Sequence, residues 1–251
     1  MPDQVEHARG LVESVEHWYH QIEVAPGVVT PGVNDSQMVL GLLDLPADLS
    51  GLHVLDIGTR DGFFSFECER RGAEVVAVDY LPAEETGFPV ARELLGSKVE
   101  FTQCNVYDLS EERFGTFDIV LFLGVLYHLR DPMLALDRIW DVARGRVIVE
   151  TQTIDEALLM ESGEFKRMVD ISPELADIPL MQFYPGDVLN SDPTNVWAPN
   201  EACLKAMLSE AGFDVDRQLR VGQRGIAFAR WADDSTRQFW RRRDRAAGRL
   251  D

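Results

Sequence analysis

Between residues 50 and 152, short and almost continuously apolar runs recur at regular intervals. They are "HVLDIG" (53 to 58), "EVVAVDY" (74 to 80), "VEFTQCN" (99 to 105), "FDIVLFLG" (117 to 124) and "RVIVETQ" (146 to 152). Runs apolar at successive positions, rather than alternating, belong to strands covered on both faces. The gaps, at roughly 62 to 71, 86 to 95 and 131 to 143, read as helices. Strand-helix alternation of this kind predicts a doubly wound α/β fold with a mostly parallel sheet. Two later runs, "DVDRQLRV" (214 to 221) and "GIAFARW" (225 to 231), are separated only by "GQR". That link is too short for a right-handed crossover, so the last strand is expected to run antiparallel.

The flanking segments differ in rhythm. Residues 3 to 22 space Val5, Leu11, Val12, Val15, Trp18, Tyr19 and Ile22 as one amphipathic helix would. The stretch "APGVVTPGVND" is turn-rich, and "SQMVLGLL" (36 to 43) resumes a helical pattern with Ser36 as its N-cap. Residues 1–47 are thus expected to form an N-terminal helical cap on a core at 48–234. An insertion at 155–199 interrupts the core, and "NEACLKAMLSEAGF" then reads as a helix ending at Gly212. A basic tail occupies 235–251.

At 251 residues the chain is long enough for one large domain with an addition. Its three cysteines, Cys68, Cys104 and Cys203, form no CxxC pair and have no histidine at metal-ligand spacing. Neither a disulfide framework nor a metal is suggested, and a reducing cytoplasm is the expected location. No stretch approaches a membrane span or a secretory signal. The formal charge of −19 is unevenly placed, with no Lys or Arg from residue 10 to 59. Such a segment repels phosphate. The tail "STRQFWRRRDRAAGRLD" reverses the sign with six arginines and is read as a solvated helix end or a subunit contact, which makes a homodimer an expected arrangement.

In a doubly wound sheet the ligand lies at the carboxyl ends of the strands, which directs attention to "DIGTRDG" after the first run. The spacing is GxxxG rather than GxGxxG, which disfavours a dinucleotide. Asp56 and Asp79 end the first two strands, where a carboxylate commonly accepts ribose hydroxyls, and a nucleoside without phosphates tolerates both acids.

Taken in order, "VLDIGTRDGFFSF", "VVAVDY", "CNVYDL" and "FDIVLFLGVLYHLRDP" resemble the class I S-adenosylmethionine-dependent methyltransferase core over roughly residues 48 to 232. The resemblance implies a Rossmann-like sheet and S-adenosylmethionine as cofactor. It implies that Asp56, Gly58 and Gly62 shape the methionine end of the pocket, with Thr59 and Arg60 in the same loop. Asp79, with Tyr80 beside it, would hold the ribose, and Asn105, Val106 and Leu123 would complete the adenosine site. Two positions depart from the family pattern: Arg60 stands where the loop has its middle glycine, and Asn105 stands where an acid often meets the adenine amino group.

"HWYHQIEVAPGVVTPG", "GVLYHLRDP" and "FYPGDVLNSDPTNVWAPNEACLKAMLSEAGF" are similar to a branch that includes the tRNA wobble-uridine carboxymethyltransferases and many small-molecule methyltransferases. A carboxylated cofactor wants cationic partners, and residues 10 to 59 offer none. Ordinary S-adenosylmethionine is therefore expected.

Methyl transfer from a sulfonium needs an aligned acceptor, and a base only where the acceptor must lose a proton. His128 follows the fourth strand and is a candidate base or, equally, a structural imidazole bonded to backbone. Tyr127 beside it is a candidate lining of the methyl channel. His20, in "WYHQIE", is a third catalytic candidate that packing against Trp18 explains as well. The insertion gathers Tyr184, Asn190, Asn195 and Trp197, which with Glu150 at the end of the fifth strand are candidate substrate contacts, as aromatic and amide groups suit a ring or sugar-like acceptor. The leading expectation is methylation of a small molecule at oxygen. The alternative is action on a tRNA wobble uridine, and a third reading is a degenerate fold serving only to bind a partner.

Overall fold

The computed structural model describes residues 2–233. Its main sheet contains β1 (His53–Ile57), β2 (Glu74–Asp79), β3 (Glu100–Gln103), β4 (Phe117–Leu123), β5 (Ala143–Gln152), β6 (Phe213–Val221) and β7 (Arg224–Trp231). The spatial order is β6-β7-β5-β4-β1-β2-β3. β1 and β2 run parallel with Leu55 opposite Val76, and β2 and β3 continue the parallel set. β7 is antiparallel to both β5 and β6, and the link from β6, only Gly222 and Gln223, is too short for any other pairing with that strand. The α/β sheet read from the sequence, mostly parallel with an antiparallel last strand, is the one observed. Helices α1 (Pro2–Ser14), α2 (Ser36–Leu42), α3 (Phe63–Arg70), α4 (Phe88–Leu95), α5 (Pro132–Val142) and α6 (Glu201–Glu210) accompany it.

The chain divides into two compact units, Met1–Leu109 with Gly115–Leu121, and Ser110–Phe114 with Phe122–Asp251. The leading residues 1–47 fall in the first unit together with β1, β2 and β3. The apolar runs are buried as a covered strand demands: Val54 and Leu55 in β1, Val120 and Leu121 in β4, and Val147, Ile148 and Val149 in β5 are all inaccessible to solvent. β3, at one edge, instead exposes Glu100 and Gln103, which discourages pairing with another chain.

Local differences from the sequence reading have physical causes. The helix expected over 3 to 22 ends at Ser14, and residues beyond it form an extended strap. The strap is drawn straight because the Asp61 carboxylate takes the backbone N–H groups of Tyr19 and His20, which a helix would have used internally. Trp18 nevertheless is buried, with its indole N–H on the Val12 carbonyl, so the apolar spacing marked burial without helix. The N-cap of α2 is Asp35, whose carboxylate accepts from Met38 N, rather than Ser36. In the insertion, two short antiparallel pairs, Leu158–Leu159 with Phe165–Lys166 and Met181–Phe183 with Trp197–Pro199, enclose a small core of Ile154, Met168, Tyr184, Leu189 and Ala198. The tail read as a helix end or subunit contact lies outside the described residues.

Candidate active site

In the first unit, the turn after β1 is wired from below and above. Gly58 N and Thr59 N both donate to the Val78 carbonyl, which ties the turn to β2. Beneath it, Asp56 Oδ2 accepts hydrogen bonds from Thr59 Oγ1 at 2.9 Å and Ser65 Oγ at 2.6 Å. Burial raises the Asp56 pKa to about 6, against those two hydroxyl bonds, which lower it. Thr59 therefore turns its side chain into the loop's own foundation. Gly62, at φ 91°, starts α3 in the left-handed region, and a Cβ there would meet the rings of Phe66 and Phe88 at 2.5 to 2.7 Å. Arg60 takes a left-handed backbone as well, at φ 53°. The conformation of a loop glycine is thus kept without the glycine, at a cost of about 1 kcal/mol or more.

Asp79, buried at the end of β2, receives Arg60 N on Oδ2 at 2.9 Å and Leu81 N on Oδ1 at 3.0 Å. Both oxygens are oriented by main-chain donors, and each retains a lone pair for a further donor. Vicinal hydroxyls match that pair of acceptors. Tyr80 beside it is exposed, Val106 is buried, and Asn105 Oδ1 caps a short turn by accepting from Tyr107 N, leaving its amide hydrogens to donate.

His20 lies 4% exposed among Tyr19, Phe63 and Phe64, with ring centroids 5.0 to 6.2 Å away, and its Nδ1 has no hydrogen-bond partner. Burial lowers its pKa to about 4, with Asp61 opposing and Arg60 reinforcing, so the ring is neutral near pH 7. Asp61 was missed by sequence reasoning. Fully buried, it accepts from Tyr19 N at 2.6 Å, His20 N at 2.8 Å and Gly87 N at 2.9 Å, binding the strap, the loop and the start of α4 together. No local signal separates it from a solvated loop acid, because its partners come from 26 to 42 residues away.

The second unit contributes a different cluster. His128, half-buried in the turn after β4, directs Nδ1 at Thr194, and its ring lies 4.1 Å from that of Tyr127. Glu150 does not project a free carboxylate: Arg224 grips it with Nε on Oε1 and Nη2 on Oε2, and the guanidinium lies 4.7 Å from the Tyr127 ring centroid. Burial alone would lower the Arg224 pKa, and the Glu150 carboxylate more than reverses this. Arg224 was also missed, since its meeting with Glu150 depends on the antiparallel register of β7 on β5. Tyr184 is buried in the insertion core, where burial pushes its phenol up to about 12, and its hydroxyl is unpartnered. Asn195 Nδ2 donates to the Leu189 carbonyl while its Oδ1 is unpartnered. Trp197 packs on Phe183 with centroids 4.8 Å apart, and Asn190 is exposed at φ 59°. Leu123 ends β4, half-buried. Among the described residues no group of three His, Cys, Asp or Glu side chains is placed to hold a metal ion, and no helix is long and apolar enough to cross a membrane.

A family model described as "Methyltransferase domain" matches residues 36–218. The tRNA U34 carboxymethyltransferase of Dichelobacter nodosus (strain VCS1703A) is 34% identical over 137 residues, covering 52% of this chain and 43% of the relative. The magnesium-protoporphyrin O-methyltransferase of Rhodobacter capsulatus is 37% identical over 118 residues, covering 46% of each. The chain thus spans about half the length of the curated relatives it matches. Among solved structures, the N-terminal domain of EvdMO1, determined in the presence of SAH and D-fucose, superposes with a TM-score of 0.61 at 18% identity, covering 92% of this chain and 97% of that one. The family model covers most of the chain and the strand order is that of the fold: this chain belongs to the methyltransferase domain family, on the class I S-adenosylmethionine-dependent fold.

Proposed function

We propose that the protein transfers a methyl group from S-adenosylmethionine to an oxygen of a small-molecule acceptor. The observation that carries the cofactor assignment is Asp79, whose two carboxylate oxygens are each oriented by a backbone N–H and remain open to a pair of hydroxyls. The donor set suits a nucleoside without phosphates, since Asp56, Asp61 and Asp79 all surround the loop and would repel a pyrophosphate. Bound there, S-adenosylmethionine supplies an activated methyl group. In this reading Asp56 and Thr59 hold the turn, Gly58, Arg60 and Gly62 shape it, and Tyr80, Asn105, Val106 and Leu123 line the adenosine. His128 is the base for an acceptor hydroxyl, with Tyr127 and His20 as further contacts. Asn190, Asn195 and Trp197 of the insertion serve acceptor recognition, and Tyr184 supports them from the insertion core. Glu150 acts through Arg224, which it fixes. Likeness to an O-methyltransferase at 37% identity supports transfer to oxygen.

The test is calorimetric titration with S-adenosylhomocysteine, S-adenosylmethionine and carboxy-S-adenosylmethionine. Binding of the first two with weak binding of the third is expected. In Asp79→Ala, affinity for S-adenosylhomocysteine should fall about a hundredfold or more, because each hydrogen bond to a charged group contributes about 1.5–3 kcal/mol. Unchanged affinity in that variant would show the pocket to be misplaced.

A second reading, action on a tRNA wobble uridine, draws on the 34% identity to a tRNA U34 carboxymethyltransferase. Preference for the carboxylated cofactor would favour it.

A further inference from the structure

His128 begins a chain of hydrogen bonds that runs into the insertion. Its Nδ1 lies 3.1 Å from the Thr194 carbonyl oxygen and 2.9 Å from Thr194 Oγ1. A carbonyl oxygen only accepts, so the ring hydrogen sits on Nδ1. The Thr194 hydroxyl gives its own hydrogen to Asp192 Oδ1 at 2.6 Å, which leaves Oγ1 facing Nδ1 with its lone pairs. Asp192 Oδ1 is itself fixed by Thr194 N at 2.8 Å. In the neutral ring the basic lone pair is therefore on Nε2.

We propose that Thr194 and Asp192 are positioning residues for His128, holding it as the Nδ1–H tautomer so that Nε2 takes the proton of the acceptor hydroxyl. The inference rests on the reading of His128 as base. In the step, the acceptor O–H bond breaks as its proton passes to Nε2, and the oxygen's electron pair forms a bond to the methyl carbon of the sulfonium donor. The carbon–sulfur bond breaks and its electrons return to sulfur, giving a neutral thioether. The imidazolium keeps Nδ1–H on Thr194, and the Asp192 carboxylate behind the hydroxyl stabilises its charge.

Three groups face the ring with opposing effects. Asp192, from the insertion, favours the imidazolium, Arg224, at the start of β7, disfavours it, and the Tyr127 ring packs alongside. Burial is the largest influence and holds the pKa below the ordinary 6.5, so the ring is neutral and ready to accept at neutral pH. Docking of the insertion alone does not call for the histidine, because Val196 N already donates to the Tyr127 carbonyl at 2.8 Å.

The experiment is long-range proton–nitrogen NMR of the full chain with nitrogen-15 histidine, the His128 ring assigned by its loss in His128→Gln. Nδ1 is expected to be protonated and Nε2 bare above the titration midpoint. Asp192→Asn keeps the turn but removes the anion, and the His128 midpoint should fall. Thr194→Ser should retain the wild-type tautomer and midpoint. With an acceptor in hand, Asp192→Asn should lower kcat by about tenfold or more with KM for the cofactor unchanged, and move the acidic limb of its pH profile down with the midpoint. An Nε2–H tautomer in the wild type, or an unmoved midpoint in Asp192→Asn, overturns the proposal. Titration with S-adenosylhomocysteine separates the two levels: binding together with the wrong tautomer sinks only the positioning role, whereas lost binding sinks the methyltransferase reading whatever the tautomer.

Discussion

At the scale of single residues, the foot of the loop after β1 and the strap bound to it hold two buried groups whose pH dependences have opposite sign. Asp56 titrates at about 6 in the folded chain against an ordinary 3.8. Between those values the folded state holds the proton and the unfolded state has lost it, so this group's contribution to stability falls as pH rises through that window and is level above it. His20, lowered from 6.5 to about 4, does the reverse: the unfolded chain binds the extra proton, and stability rises with pH over nearly the same interval. The two slopes largely cancel in the wild type. Asp56→Asn keeps the shape, and its amide oxygen still accepts from Ser65 and Thr59, but it cannot ionise. Its urea-unfolding free energy, measured relative to wild type from pH 4 to 7, should therefore rise by roughly 2 kcal/mol between pH 4 and 6 and level off above that. A flat difference curve would mean that Asp56 is not held protonated. Asp56 and Asp79 were visible in the sequence as strand-end acids, but their division of labour, and the part played by Asp61, were not. Asp56 faces Ser65 and Thr59 inside the loop, Asp79 faces two backbone donors, and Asp61 reaches the strap, and only the three-dimensional turn separates those fates.

Among the elements, the strap between α1 and α2 is the part whose form the sequence conceals. Within it Gly32 crosses Tyr19 and His20 so closely that a Cβ would meet His20 C and O at 2.3 Å and Tyr19 O at 2.5 Å. These are backbone atoms with no flexible end to yield. Gly32→Ala should lower the unfolding free energy by at least about 2 kcal/mol, read from urea denaturation followed by tryptophan emission. A change within roughly 0.5 kcal/mol would show the crossing to be loose. The same strap shows what a periodic pattern can convey. Trp18 and Ile22 fit a helical repeat, yet the repeat reports which residues are covered, and Asp61 decides the backbone that covers them. The strands were legible because solvent exclusion on both faces leaves an unbroken apolar run, and the β6–β7 hairpin was legible because Gly222 and Gln223 leave no room for a crossover. Tyr184 was hidden for the opposite reason: a phenol in a polar, turn-rich stretch reads as a contact residue, and its place in the insertion core follows from pairing of Met181–Phe183 with Trp197–Pro199.

For the whole molecule the deciding quantity is charge. A formal −19 repels a polyphosphate at long range, and the segment from residue 10 to 59 contributes no cation to offset it. Residues 235–251 are the one concentrated exception, with six arginines against two aspartates. If RNA were the substrate, affinity would come through such a stretch and would decline with salt, by a slope of about −0.7 to −0.9 for each phosphate neutralised. The small-molecule reading predicts otherwise: the full chain should give no electrophoretic shift of tRNA at about 0.15 M salt, near which fields from exposed charges decay within about 8 Å. Removing residues 235–251 should leave S-adenosylhomocysteine affinity unchanged, because every residue proposed to contact it lies between Asp56 and Leu123. Steep, salt-dependent tRNA binding that disappears with those residues would instead make the wobble uridine the first acceptor to test, and would show that a local cationic segment can overcome the field of the remainder.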